Sequence, residues 1–296
     1  MVKSALGTTI YKISAKSITL TAIAMLAFAA NSVLVRLALK ETTIDAASFT
    51  LIRILSGALV LSLLLLVHAP RRRRRGSLGG AITLSIYAVA FSFAYIELDT
   101  GTGALLLFGA VQLSMFAYGI IQGERLRPVA LIGLSLALIG ILTILLPGAS
   151  APPAGSATLM IAAGVAWGIY SLLGKDETDP IAATAGNFVY AIPIVVIMCL
   201  PFMLGAKFDK AGTILAVLSG ALASGLGYAV WYSAIRGLSA MQASTVQLSV
   251  PILAWLAGLV FLDETMATRT AFASSAVLVG IALVLGAKNG TACRRD

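Results

Sequence analysis

Apolar residues in this chain come in long runs, without the strict alternation of a half-buried strand or the single stripe of a surface helix. Short polar breaks separate ten such runs, at 17–39, 46–67, 78–98, 101–121, 128–146, 155–174, 180–204, 211–235, 240–262 and 266–287. A helix needs about 20 mainly apolar residues to cross the hydrocarbon core of a bilayer, whereas a barrel strand is about 10 residues long and alternates. The runs therefore predict an all-α polytopic membrane protein with ten transmembrane helices. Because the breaks are short, a single membrane domain over 1–296 is expected, with no soluble appendage.

Composition excludes the soluble alternative. The chain is 59% hydrophobic and 11% charged, where soluble domains carry roughly 25% charged residues. So few charges cannot cover a water-soluble globule of this size. Lys3, Lys12 and Lys16 precede the first run, and Ala27–Asn31 resembles a small-residue cleavage site. The run continues well past Asn31, however, and reads as an uncleaved first helix. Cys199 and Cys293 imply no disulfide framework.

Lys and Arg number 21 against 12 Asp and Glu. With the N-terminus inside, fifteen Lys or Arg fall at cytoplasmic ends, including the run Arg71–Arg75. The opposite face holds four, Lys40, Lys207, Lys210 and Arg269, while Arg36 and Arg53 lie within spans. Cytoplasmic loops retain Lys and Arg, so both termini are expected in the cytoplasm. The arginine run then reads as a topology anchor, helped by anionic headgroups, and no nucleic-acid partner is expected.

The stretch 147–156, PGASAPPAGS, is the most linker-like in the chain and separates two halves, 17–146 and 155–287. A shift of 139 to 141 residues aligns Tyr87–Ser92 with Tyr228–Ser233, Ala27–Leu34 with Ala166–Leu173, Glu124 with Glu264, and Gly140 with Gly280. Each unit holds five runs, an odd number, so the second half starts from the opposite side of the membrane. Inverted repeats of this kind characterise secondary transporters, whose sites lie near the midplane at the repeat interface.

Two matching segments extend the pattern: QLSVPILAWLAGLVFLDE at 247–264 and LFGAVQLSMFAYGIIQGE at 107–124. Two five-helix halves, each with a fourth helix leading into an acidic residue, resemble the drug/metabolite transporter superfamily and its EamA-like members. In that pattern the fourth helix often carries a proline, then an acidic exit, then a fifth helix with spaced glycines. The second half supplies Pro251, Asp263, Glu264 and Gly280; the first supplies Gly123, Glu124, Gly133 and Gly140, with Val111 in the proline's place. Pro251 lacks an N–H and its ring clashes with the Gln247 carbonyl, so a bend is expected there, either as part of a gate or for packing alone.

Chemistry in the spans is sparse. His68 is the only histidine, and Asp and Glu fall at the ends of runs or between them. Paired intramembrane carboxylates, metal ligands and a nucleophile with its base are all missing, so no enzyme, metal or cofactor is expected. Aromatic and amide groups remain. Tyr87, Phe91 and Tyr95 form an i, i+4, i+8 stripe. Trp167 and Tyr170 are three apart, with Phe28 and Asn31 at the matching positions of the first half, and Tyr228, Trp231 and Tyr232 cluster in the eighth run. The resemblance implies that helices one, three, four, six, eight and nine line a central cavity. Candidate cavity residues are Asn31, Tyr87, Phe91, Tyr95, Gln112, Trp167, Tyr170, Tyr228, Trp231 and Gln247, with Pro251 at the gate. Arg36 either meets a substrate carboxylate or snorkels outward. Arg53, a charge inside a span, is either part of a functional site or, lying close to the outer end, snorkels outward, with snorkelling the leading reading; the glycine-rich stretch 219–230 reads as close helix packing.

These features together predict a secondary transporter of small amphipathic metabolites, with amino-acid export by alternating access as the leading reading. The YddG-type amino-acid exporters of the superfamily are similar in length and aromatic content. Other metabolites, drug-like cations such as choline, and a structural or lipid-flipping subunit are the alternatives. The resemblance implies a bacterial inner-membrane location and a protein that functions as a monomer.

Overall fold

The computed structural model describes residues 15–68, 76–121, 128–145, 151–174, 177, 179–235, 246–247, 249–264 and 268–289, and every regular element among them is helical. In chain order these are α1 (Ala15–Glu41), α2 (Ala46–His68), α3 (Leu78–Ala94), α4 (Thr100–Ile121), α5 (Pro128–Leu145), α6 (Ala154–Gly174) and α7 (Pro180–Cys199). A 3₁₀ turn (Leu200–Gly205) then leads to α8 (Lys210–Leu218), a π-helical segment (Ser219–Leu226), α9 (Gly227–Ile235), α10 (Ser249–Leu262) and α11 (Thr268–Asn289). Five stretches have the length and apolarity to cross a membrane: Ile18–Glu41, Ala46–Val67, Ala154–Gly174, Pro180–Gly205 and Lys210–Ala234. Leu78–Ala94, Thr100–Met115, Ser249–Leu262 and Ala271–Gly280 are apolar but shorter. The architecture is that of a polytopic membrane protein.

Local chemistry sets the helix starts. Ser77 caps α3 by accepting from Gly80 N–H at 3.0 Å, and Asp179 caps α7, whose first residue is Pro180. Asp45 accepts from the N–H groups of Ala47 and Ser48 at 2.9 Å each and so caps α2. Such residues satisfy donors that the first helical turn leaves free.

The ends depart from the apolar runs for identifiable reasons. The third run reaches residue 98, but α3 stops at Ala94, where Tyr95 to Leu98 coil into a tight turn that delivers the chain to α4. In the seventh run α7 yields to the 3₁₀ turn at Leu200, next to Pro201, which cannot donate a helical bond. The eighth run is one apolar span whose middle is wound as a π-helix. Of the ninth run, residues 240–245 lie outside the described residues.

Packing follows surface type. On α2, Leu55, Leu59, Leu63 and Leu66 are exposed along one face, while Ile54, Leu61 and Leu65 are buried. An apolar outer face suits contact with lipid, where helix association comes from close packing. At the glycines the backbones do approach closely. A Cβ on Gly140 would strike Ala273 and Val277 of α11, and one on Gly280 would strike Gly133 and Ala137 of α5. On the π-segment, Gly220 sits against the backbone of Arg53. The packing value read from this glycine-rich stretch is real, but the segment also carries polar groups that matter below.

Candidate functional site

Midway along the bundle, α1, α3, α4, α6 and α9 converge on a small cavity. Its wall is formed by Phe28, Asn31 and Ser32 of α1, Tyr87 and Phe91 of α3, Leu107 and Phe108 of α4, Trp167 of α6, and Tyr228 of α9. The free space is about that of one water molecule. Trp167 is the hub of the rings. Its centroid lies 4.7 Å from that of Tyr228, 5.0 Å from Tyr87, 5.5 Å from Phe28 and 5.6 Å from Tyr170. Tilted and edge-on pairs at these separations each add about 0.5–1.5 kcal/mol beyond area burial.

A polar chain runs behind the rings. Asn31 donates to the Tyr87 hydroxyl at 3.3 Å and accepts from the Ser219 hydroxyl at 2.7 Å. Arg53 donates through Nη2 to the hydroxyls of Tyr87 and Tyr228, both at 3.1 Å, and through Nε to Ser224 Oγ at 3.0 Å. Its guanidinium carbon stands 5.2 Å from the Tyr87 ring centroid and 5.1 Å from that of Phe91. Arg53 is 1% exposed. The snorkelling expected of it does not occur, because the outward face of α2 belongs to the leucines and Arg53 lies on the other side. Ser219 and Ser224 both serve this chain because they share the π-segment, whose i→i+5 bonding stacks residues five apart. An α-helical reading of the sequence cannot place them together, and the only signal for Arg53 is a charge inside a span.

The expected cavity residues divide into groups. Asn31, Tyr87, Phe91, Trp167 and Tyr228 form the wall. Tyr170 and Trp231 are buried behind it, Tyr170 against Trp167 and Trp231 against Phe28. Gln247 is fully buried and accepts from the Trp167 indole at 3.4 Å. Gln112 is buried on α4, one turn beyond Phe108, and is not part of the wall. Tyr95 is displaced toward one end of the bundle. It follows α3 as its cap residue, and its hydroxyl donates to the Thr100 carbonyl. Pro251 is buried in the first turn of α10. The stretch from Gln247 to Pro251, where the bend is expected, includes Leu248, which lies outside the described residues.

That end of the bundle is closed by charge. Arg36 donates through Nε to Glu264 Oε1 at 3.2 Å and through Nη1 to the carbonyls of Tyr95 and Ile96 at 3.0 and 2.8 Å. Asp99 stands 3.7 Å from its Nη2. The other Glu264 oxygen accepts from Thr100 N–H at 2.8 Å, at the start of α4, where a negative charge also suits the helix dipole. Glu264 arrives there because Asp263 turns the chain into the left-handed region at φ 50°, a conformation short polar residues tolerate at helix ends. Gly258 leaves room for the carboxylate, since a Cβ would strike Oε2. Lys40 then caps α10 by donating to the Leu262 carbonyl at 2.9 Å. Arg36 thus neither snorkels nor waits for a ligand. Glu124, the matching acid of the first half, lies outside the described residues.

Beside it, two aspartates cross-link the loops. Asp45 also accepts from Lys207 N–H at 2.7 Å, and Asp209 from Thr43 N–H at 2.7 Å and Gly212 N–H at 2.6 Å. Partial burial pushes the Asp45 carboxyl up, but its hydrogen bonds from Lys207, Ser48 and Ala47 outweigh this and hold it below the ordinary aspartate value. Bonding from Gly212 likewise holds Asp209 down. At the opposite end of the bundle the described hydrogen bonds join uncharged groups, with Glu177 beside them: Tyr232 donates to the Tyr170 carbonyl at 3.1 Å, and Asn187 accepts from Ser77 N–H at 2.8 Å.

Known proteins resemble this arrangement at several levels. Residues 155–286 match the model of the EamA-like transporter family. An uncharacterised protein of Pseudomonas aeruginosa is 55% identical over 280 residues, covering 94% of this chain and 98% of its own. A protein of Streptantibioticus cattleyicolor named as a probable terminal-alkyne amino-acid exporter is 27% identical over 228 residues, covering 74% of this chain and 75% of its own. One crystal structure shares the fold at a TM-score of 0.65 and 17% identity, covering 91% of this chain and 99% of the other. The family match covers the second half of the chain, and together with the transporter-named relatives it marks the protein as a transporter rather than an enzyme.

Proposed function

We propose that the protein exports amino acids or closely related small amphipathic metabolites by alternating access, with the aromatic cavity as the substrate site. The observation that carries this reading is one mid-bundle cavity walled by aromatic rings and a few convergent polar groups, with separate closures at the two ends. Such walls suit a solute with an apolar body and a polar head. The name borne by the Streptantibioticus relative supports the amino-acid class. Drug-like cations fit less well, because the charge that stands against this wall among the described residues is the Arg53 guanidinium.

Two five-helix units, 17–146 and 155–287, with opposite orientations complete the proposal. Helix pairing supports it, since each main contact has a counterpart when the halves are exchanged. The α3–α6 and α4–α6 contacts correspond to those of α1 with the π-segment and α9, and to α1–α10; α2–α7 and α5–α11 map onto themselves. The Lys and Arg distribution supports both termini lying in the cytoplasm, with the Arg36–Glu264 closure outermost, in what we take to be a bacterial inner membrane. Among the described spans the only Asp or Glu in a helix is Glu41, the last residue of α1, so none lies at mid-span, where protonation could bias one state. The solute is therefore taken to run down its own gradient, through a protein working as a monomer.

The test is uptake into proteoliposomes across a panel of radiolabelled amino acids, choline and sugars, with and without a pH gradient. Saturable amino-acid uptake without an ion gradient is expected, reduced in Trp167→Ala and Tyr87→Ala protein of normal folded yield. Uptake of choline alone, or unchanged uptake in both variants, would overturn the reading.

A further inference from the structure

Arg53 is a buried cation with no anion beside it among the described residues. Among the described residues the ion pairs involve Arg36 and Lys40, and the nearest acid on its own helix, Asp45, is engaged at the N-cap. The guanidinium is compensated by three hydroxyls and two ring faces, and its Nη1 has no partner at all. Removing a charge from water without a counter-charge is costly, and an apolar or amide side chain would fill the space at lower cost. A charge retained under those terms marks a functional position in a membrane protein.

The groups between Arg53 and the cavity all offer donors. Tyr87 and Tyr228 accept from the guanidinium through their oxygens, so each hydroxyl has a proton that it can donate to an incoming acceptor. Asn31 has its oxygen occupied by Ser219, which turns its NH₂ toward Tyr87. All three line the cavity. Donors backed by a cation and converging on one apolar space match an anion and disfavour a cation that brings no carboxylate with it.

We propose that Arg53, with Tyr87 and Tyr228, forms the anion-receiving end of the substrate site, and that the cargo carries a carboxylate on an apolar or aromatic body. This rests on the reading of the cavity as the substrate site. The carboxylate supplies the counter-charge that Arg53 lacks, and the aromatic wall takes the body. The Arg36 cluster cannot do the same, because Glu264 already holds it. Carboxylate cargo also provides a reason for the missing intramembrane acids, since an Asp or Glu here would neutralise Arg53 permanently and repel the ligand.

The experiment uses the full-length protein in detergent and two probes of one shape, 3-phenylpropanoate and its neutral amide 3-phenylpropanamide, together with L-phenylalanine and L-leucine. Binding is read by titration calorimetry and by the rise in melting temperature. In the natural protein a carboxylate-bearing probe binds and stabilises, while the amide does so at least about tenfold more weakly, the equivalent of one hydrogen bond to a charged group. Arg53→Gln abolishes that discrimination. Should Arg53→Gln fail to fold, Arg53→Lys serves: it keeps the charge, loses the planar fork, and weakens carboxylate binding severalfold. Equal binding of acid and amide, no binding of any carboxylate, or unaltered carboxylate affinity in Arg53→Gln or Arg53→Lys would overturn the proposal. A failure of the transporter reading looks different: the carboxylates bind, yet none exchanges in counterflow across a proteoliposome membrane.

Discussion

Arg36 and Arg53 sit on consecutive helices of one bundle and are both buried, yet their surroundings are opposite. Arg36 meets Glu264, Asp99 and two carbonyl oxygens. Arg53 meets hydroxyls and ring faces only. The first arrangement is complete within the protein and ties α1, α10 and the α3–α4 turn together. The second is incomplete until something negative enters the cavity. One arginine holds the structure closed, and the other is held ready by it.

The largest expected effect comes from breaking the complete cluster. Glu264→Ala leaves Arg36 buried with carbonyls and a half-exposed Asp99, and removes the acceptor at the start of α4. Removing one partner of a buried pair costs about 3–5 kcal/mol, and the remaining acceptors place this case near the lower bound. A clear fall in melting temperature of the purified protein is expected. An Arg36→Met, Glu264→Met double variant should recover much of it, because no charge is then stranded. A double variant as unstable as Glu264→Ala would show that stranded charge is not the cause.

The second effect lies at the other arginine. Tyr87→Phe removes the hydroxyl that accepts from both Arg53 and Asn31. Two buried donors then lose their acceptor, costing about 2 kcal/mol, with the ring packing on Trp167 intact. Thermal unfolding should show this loss, and transport should fall in the same variant. Normal transport in Tyr87→Phe would confine the hydroxyl to a structural part.

What the sequence made legible follows the same division. Membrane class and most helix bounds could be read because apolarity over about 20 residues is a sum that no single contact alters. Spacing grouped Tyr87 with Phe91, Trp167 with Tyr170 and Tyr228 with Trp231 on single helices, but that these helices face one cavity was expected only from the family resemblance. The direction of Arg53 was not legible, because snorkelling and burial differ only in which face the neighbouring helices cover. Nor could the spacing show that Asp263 would adopt positive φ and return Glu264 to Arg36. That turn is chosen by tertiary contacts at Gly258 and Thr100. The π-segment was illegible for a related reason, as nothing in α-helical periodicity unites Ser219 with Ser224.

A third effect, of about 1 kcal/mol, concerns the loops beside the Arg36 cluster. Asp45 caps α2 and also accepts from Lys207, so Asp45→Ala loses a helix cap. Its carboxyl titrates below the ordinary aspartate value in the folded protein. A depressed folded value means the stabilisation is present in full above the unfolded pKa, about 3.9, and is lost as pH falls through the folded one. Melting curves of natural and Asp45→Ala protein should therefore differ at pH 7 and converge on acidification below about pH 4. A gap independent of pH would assign the effect to packing rather than to the carboxylate.

The smallest effect separates the two acids that face Arg36. Asp99 stands 3.7 Å from Nη2 with its side chain 56% exposed, whereas Glu264 lies at 3.2 Å and 8%. Exposed ion pairs contribute about 0–1 kcal/mol, because water and salt screen the charges and ordering the side chains costs entropy. Asp99→Asn should accordingly shift stability by no more than about 0.5 kcal/mol, and raising the salt concentration should erase even that. Unfolding of natural and Asp99→Asn protein at low and high salt measures both points. If burial is what distinguishes a structural charge pair here, the two acids must differ severalfold despite sharing one arginine. A loss at Asp99 equal to that at Glu264, persisting at high salt, would mean that Arg36 is held by net charge at this end of the bundle. The contrast with Arg53 would then have to be drawn on charge balance rather than on what each guanidinium touches.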